Sequence, residues 1–255
     1  MDLLYKVALA IHVAAGAVAL LVFWLPLVTK KGGATHRRVG WVYVCAAAVI
    51  ATTGFVVCGR LIGDSNPLRQ RAGIFLLYVG LLAAASAELG VRALRTKHRT
   101  SPSTAFVDLV PAALLVVGGL ALAAYGVRER MPLYVGFAAL GASQGASRLR
   151  FWLTPPRTSR EWFFAHMGGM GTSCITTVTA FFVVNAHRLG MRTFDLALWA
   201  GPVVVGAVGL TVWVRLYRRR FAGEDFVTPK CPPKGRGPTV DPSQNLSSSG
   251  ASQGS

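Results

Sequence analysis

Seven long apolar runs divide the chain, and the basic residues between them alternate in abundance. The hydrocarbon of a bilayer is about 30 Å thick, so a helix crossing it needs about 20 mostly apolar residues. Runs near residues 3–28, 39–62, 73–94, 106–127, 132–149, 162–184 and 196–217 meet or approach that length. Short loops rich in Lys and Arg stay on the cytoplasmic side. Of the 27 Lys and Arg, 19 fall in the first, third and fifth connections, in the C-terminal end, or in the span ends that border them, and 8 fall in the other connections and the span ends bordering those or the N-terminus. The pattern predicts an all-α protein: a seven-helix transmembrane bundle, N-terminus outside and C-terminus inside.

Composition removes the main alternatives. A chain of 255 residues that is 53% hydrophobic and 15% charged is too apolar for an ordinary soluble domain. A net charge of +17 raises nucleic acid as a partner. The basic residues sit in short clusters beside apolar runs, where membrane insertion already accounts for them, and no recognition helix or stacking motif accompanies them. The expected partner is therefore the lipid bilayer of the cell membrane, crossed several times, and not nucleic acid. Membrane partner proteins or a small-molecule ligand stay open. The first run has only Lys6 ahead of it and Lys30-Lys31 behind it, which predicts a retained helix and not a cleaved signal peptide. Residues 1–220 form the expected membrane domain. Residues 221–255 are rich in Pro, Gly and Ser and predict a disordered cytoplasmic tail.

Ionisable groups at membrane depth are candidates for function because they are costly to bury there. Helix rise places His12 in the outer half of the first span, and His36 just before the second. Glu88 and Arg92 lie at the inner end of the third, and Asp108 opens the fourth. Arg148 closes the fifth, and His166 sits in the first turns of the sixth. Six of these, His12 excepted, share one inner layer. Glu88 and Arg92 are four apart on one helix and can pair. Glu88, Arg92, Asp108 and Arg148 make a polar cluster or a small vestibule; snorkelling helix-end charges are the plainer reading.

Imidazole binds haem iron or relays protons. His12, His36 and His166 are thus candidate cofactor ligands, with haem b as the candidate group. A bis-histidine haem needs both rings at similar depth. By a rise of about 1.5 Å per residue, His12 and His166 differ by roughly 15 Å in depth, and His36 and His166 by roughly 11 Å before helix tilt. Met167 and Met170 flank His166, but packing is the commoner use of Met in a membrane helix. A structural hydrogen bond is the competing use of each histidine.

Two other patterns carry less. Gly141-Ala142-Ser143-Gln144-Gly145 satisfies G-x-S-x-G, and His166 follows on the next helix. The motif needs a strand-to-helix elbow that no strand supplies here. A small-xxx-small packing face through Gly141 and Gly145 is the simpler reading. Cys45, Cys58, Cys174 and Cys231 show neither paired spacing nor C-x-x-C, so neither a disulfide framework nor a metal cluster is expected.

Two strings carry a family likeness. The first is His12-x-x-x-Gly16, then Lys31-Gly32-Gly33 and His36-Arg37-Arg38-x-Gly40-x-x-Tyr43-Val44. The second is His166-Met167-x-x-Met170, then Thr179-Ala180-Phe181 and Asn185. Together they resemble the predicted bacterial membrane-protein family classed as domain of unknown function 2306. The resemblance implies a multi-pass membrane protein and directs attention to His12, His36, His166, Thr179 and Asn185. It implies no particular reaction. The functional expectation is a membrane redox or proton-handling protein using intramembrane histidines. The alternatives are a small-solute transporter and a non-catalytic membrane assembly factor.

Overall fold

The structure is a computed structural model that describes residues 3–191 and 196–224. The elements are α1 (Leu3–Val22), α2 (Trp24–Val28), α3 (Ala34–Ile62), α4 (Pro67–Arg95), α5 (Phe106–Arg128), α6 (Pro132–Leu153), α7 (Glu161–Val184), a short 3-10 turn (Ala186–Leu189) and α8 (Leu196–Glu224). The described residues contain no strand. With α1 and α2 taken together, six helices are long and apolar enough to cross a membrane, and α6 is the exception. The protein is therefore a multi-pass helical membrane protein. Its exposed Leu, Val and Phe side chains are the surface a bilayer would cover.

Local chemistry explains where helices break and begin. Pro26 has no N–H to return to the Val22 carbonyl, so the first span breaks between α1 and α2. The turn after α2 uses Gly32 at φ 75°, a backbone state costly for other residues. α4 starts with Asn66 accepting from the Leu68 N–H at 2.9 Å and with Pro67 at its first position. That cap starts α4 six residues before the expected residue 73. α3 likewise begins at Ala34, so His36 lies inside it and not ahead of it. α6 continues to Leu153, and α8 runs past both the expected span end and the 220 boundary to Glu224. The expected tail beyond Glu224, with Cys231, lies outside the described residues.

α6 lacks the hydropathy of its neighbours because its polar and small residues face other helices. A Cβ on Gly145 would lie 2.7 Å from the Ala112 carbonyl oxygen of α5. One on Gly119 of α5 would lie 2.9 Å from the Ala138 carbonyl of α6. Gly141 faces the Tyr78 ring of α4. α5 and α6 thus meet almost backbone to backbone, as expected of small residues at a membrane interface, and the Tyr78 ring of α4 fills the space the glycines leave. Ser143 points outward and donates to its own helix at Leu140, so G-x-S-x-G serves packing. At one end of the bundle an aromatic knot closes the core. Phe75 stacks on Tyr134 at 4.5 Å and meets Trp199 edge-on at 4.8 Å. The Tyr134 hydroxyl donates to the Arg71 carbonyl at 2.9 Å, and Arg71 pairs with Glu129 at 2.5 Å. The opposite end, where α3 and α7 begin and α4 and α6 end, carries His36 and His166.

Candidate functional site

α4 and α7 cross at Gly90 and Gly169. A Cβ on Gly169 would stand 2.7 Å from both the Gly90 nitrogen and the Ser86 carbonyl oxygen. This approach lets His166, one turn before Gly169, reach across. Its Nδ1 lies 2.8 Å from the Gly90 carbonyl oxygen. A carbonyl oxygen only accepts, so Nδ1 carries the proton. His36, in the first turn of α3, is fixed the same way. Its Nδ1 lies 3.1 Å from the Pro26 carbonyl oxygen at the end of α2. In the neutral imidazole this tautomer makes Nε2 the acceptor nitrogen of each ring. The ring centres stand 6.4 Å apart with planes at 69°.

The depth gap of roughly 11 Å expected from the spans shrinks because the helix starts move. His36 is the third residue of α3 and His166 the sixth of α7, a difference of about 4.5 Å in rise. His12 stays apart. Its Nδ1 lies 3.0 Å from the Thr53 hydroxyl oxygen, and Thr53 gives its own proton to the Val49 carbonyl at 2.6 Å. His12 is therefore the donor, and it ties α1 to α3 beside Gly54.

Lys31 sits next to the histidine pair. Its Nζ donates to the Pro26 and Leu27 carbonyls at 2.7 Å each and lies 4.3 Å from the centre of the Trp213 ring. Lys31 and His36 thus share the Pro26 oxygen. Burial holds the Lys31 amine below the ordinary lysine pKa.

The expected acidic and basic cluster assembles, with one changed pairing. Arg92 does not pair with Glu88 on its own helix. Its Nε and Nη2 grip the two carboxylate oxygens of Asp108 on α5 at 2.6 and 2.9 Å. Asp108 is 1% exposed and also accepts from the Ser103 hydroxyl at 2.6 Å. The planar guanidinium matches a carboxylate held at the right distance, and the neighbouring helix supplies it. Arg148, 4% exposed, donates from Nη2 to the Ser86 hydroxyl at 2.7 Å. Its Nε and Nη1 and the Glu88 Oε1 are buried without partners. Leaving a buried polar atom unpaired costs about 1 to 3 kcal/mol. Ser86 and Gly90 are one turn apart on α4, so the Arg148 contact and the His166 contact are adjacent.

Two further groups at this end, the Tyr43 hydroxyl cluster and Arg99, were given no functional part by the sequence. The Tyr43 hydroxyl shares hydrogens with Ser173 at 2.9 Å and Thr177 at 3.2 Å. Tyr43 lies seven residues after His36, and Ser173 seven after His166, so each pair occupies one helix face. That spacing was the available signal. Arg99 closes the end of α6, donating to the Phe151, Trp152 and Thr154 carbonyls at 2.8 to 3.1 Å. No sequence signal marked it. Met170 packs its sulfur where a Cβ on Gly90 would sit, which is a packing role. Thr179 is buried and donates to the Ile175 carbonyl, and Asn185 ends α7, its amide donating to the Phe181 carbonyl. Neither joins the histidine pair.

Among the described residues no three His, Cys, Asp or Glu gather as a metal-binding group. His36 and His166 stand as a pair without a third such residue among those described. No family model, curated protein or solved structure matches the chain.

Proposed function

We propose that the protein is a membrane redox protein that holds a single haem-class group between His36 and His166. The observation that supports this is the pair of imidazoles at 6.4 Å, each with Nδ1–H tied to a main-chain carbonyl. Metal-bound histidines commonly hold the non-ligating nitrogen in this way, which orients the ring and strengthens the ligand. Imidazole is a ligand of haem iron, so two histidines on neighbouring helices would suffice as the protein's donors to such a group. When bound, the group would supply one-electron transfer. His36 and His166 would hold it, and Lys31 would offer a cation to an acidic substituent.

The same reading assigns seven crossings, N-terminus outside and C-terminus inside, in the cell membrane. α6 has 22 residues, about 33 Å of helix. It runs beside α5 from the aromatic knot to Ser86, which supports a crossing despite its lower hydropathy. Membership in the family classed as domain of unknown function 2306 rests on the strings quoted above and belongs to this proposal.

An absorption spectrum of protein purified after expression with ample haem is the test. The expected result is a Soret band in the wild type and in His12→Ala, lost in His36→Ala and His166→Ala. A colourless wild type, or a band indifferent to both His36 and His166, overturns the assignment.

A further inference from the structure

A cavity of about 230 Å³ lies between α4, α6, α7 and α8, apart from the histidine pair. Among the described residues no charged side chain lines it. Its walls are mostly aliphatic and aromatic, with Leu82, Phe137 and Leu210 among them. Set into those walls are the Gln144 amide of α6, the Thr172 hydroxyl of α7 and the Thr211 hydroxyl of α8. None of these three side chains has a hydrogen-bond partner among the described residues. At membrane depth such groups are costly to leave unpaired. Thr176 and Thr179, which also line the cavity, satisfy themselves on their own helix. The unsatisfied three are thus specific positions on three different helices. Thr211 is exposed, so the cavity reaches the outer surface of the helices, where lipid lies in a bilayer.

We propose that this cavity binds the head group of a lipid-soluble quinone. The lack of charge selects a neutral molecule. A cavity of about 150 Å³ lined by aliphatic and aromatic side chains holds benzene, so this one has room for a ring with small substituents. Polar groups on separate helices select a ring with oxygen functions at more than one edge. Amide and hydroxyl both donate and accept, so they serve carbonyl and hydroxyl oxygens alike. The apolar walls and the exposed entrance select a ligand that arrives through the bilayer. The proposal stands without the haem assignment, since binding is read directly and needs no metal.

Trp199 is a built-in reporter. Its ring meets Phe137, a wall residue, edge-on at 5.4 Å between centres, and quinones quench indole fluorescence. Full-length protein in lipid nanodiscs is titrated with a short-tailed benzoquinone. The expected result is saturable quenching, diminished in Trp199→Phe. Gln144→Leu removes one hydrogen bond, and the apparent dissociation constant rises about tenfold. Ala207→Trp fills the cavity from α8 and abolishes saturable quenching. Ser143→Ala, on the exposed face of α6, changes nothing. Where Ala207→Trp fails to fold, Gln144→Leu decides alone. Quenching that rises linearly without saturation, or saturates identically in wild type and Gln144→Leu, overturns the proposal.

Discussion

Gly168 and Gly169 are adjacent on α7, yet the structure gives them opposite roles. A methyl on Gly168 meets nothing within 4 Å. A methyl on Gly169 meets the Gly90 nitrogen and the Ser86 carbonyl at 2.7 Å and the Gly90 Cα at 3.0 Å, all main-chain atoms that no rotamer can move aside. Relief to an ordinary contact of about 3.5 to 4 Å requires α4 and α7 to part by about 1 Å. The His166–Gly90 hydrogen bond, now 2.8 Å, would then exceed hydrogen-bonding range. Gly→Ala inside a helix gains up to about 1 kcal/mol in intrinsic preference. Gly168→Ala should therefore stabilise by up to about 1 kcal/mol. Gly169→Ala receives the same gain, but overpacking opposes it by about 1 to 3 kcal/mol and the lost hydrogen bond by about 1 more. The net expectation is destabilisation of about 1 to 3 kcal/mol, and so a split of about 2 to 4 kcal/mol between neighbouring residues. Reversible unfolding in mixed micelles with increasing sodium dodecyl sulfate reads both variants against wild type. Equal shifts of the same sign would refute backbone contact at this crossing, and with it the platform beneath His166.

Other sites give further expectations. Arg92→Leu should destabilise by about 3 to 5 kcal/mol because it strands the buried Asp108 carboxylate, and Asp108→Leu by less because the Arg92 side chain is partly exposed, while the double variant recovers much of the loss; additivity within about 0.5 kcal/mol in the same unfolding assay rules out the pair. Arg99→Ala should raise amide hydrogen exchange over the last turn of α6, where Arg99 holds the Phe151, Trp152 and Thr154 carbonyls; unchanged protection there removes its capping role. Asp64 lies between α3 and α4, where the Asn66 main-chain N–H, then the Arg69 and Arg60 guanidiniums, hold its carboxyl below the ordinary aspartate pKa. Its folded-state pKa is depressed, so its contribution is complete above the unfolded value and disappears as pH falls through the folded one. Stability of wild type relative to Asp64→Asn should be flat from pH 7 to about 5 and decline below about 4; a difference that grows on acidification contradicts the sign.

What the sequence made legible follows from what hydrocarbon enforces. Apolar length revealed the helices, because no other local structure satisfies the backbone in lipid. Helix starts were less legible, because they depend on caps outside the apolar run. Asn66-Pro67 carries α4 back through Arg69 and Arg71, and Gly33 lets α3 begin at Ala34. That second shift matters for chemistry. It turns His36 from a loop residue into a first-turn residue at nearly the level of His166, and so reduces an apparent mismatch to a pair.

Depth also brought Glu88, Arg92, Asp108 and Arg148 into one layer before any coordinates, but depth is one coordinate and pairing needs three. Glu88 and Arg92 share a helix face, yet Asp108 holds Arg92 from the next helix because two carboxylate oxygens aligned with the guanidinium fork outcompete one flexible neighbour. The consequence reaches Arg148. With Arg92 and Asp108 closed on each other, Arg148 Nε and Nη1 and Glu88 Oε1 are left without hydrogen-bond partners. The layer therefore divides into a sealed pair that fastens α4 to α5 and an open pair one turn from Gly90, the residue that orients His166. Arg148 is tied to Ser86, one turn from the Gly90 carbonyl that sets the histidine ring, so Ser86→Ala, which frees Arg148 from α4, should disturb the spectrum of any group held by His166 more than His12→Ala does. Equal spectra for those two variants would separate the acid–base cluster from the histidine pair.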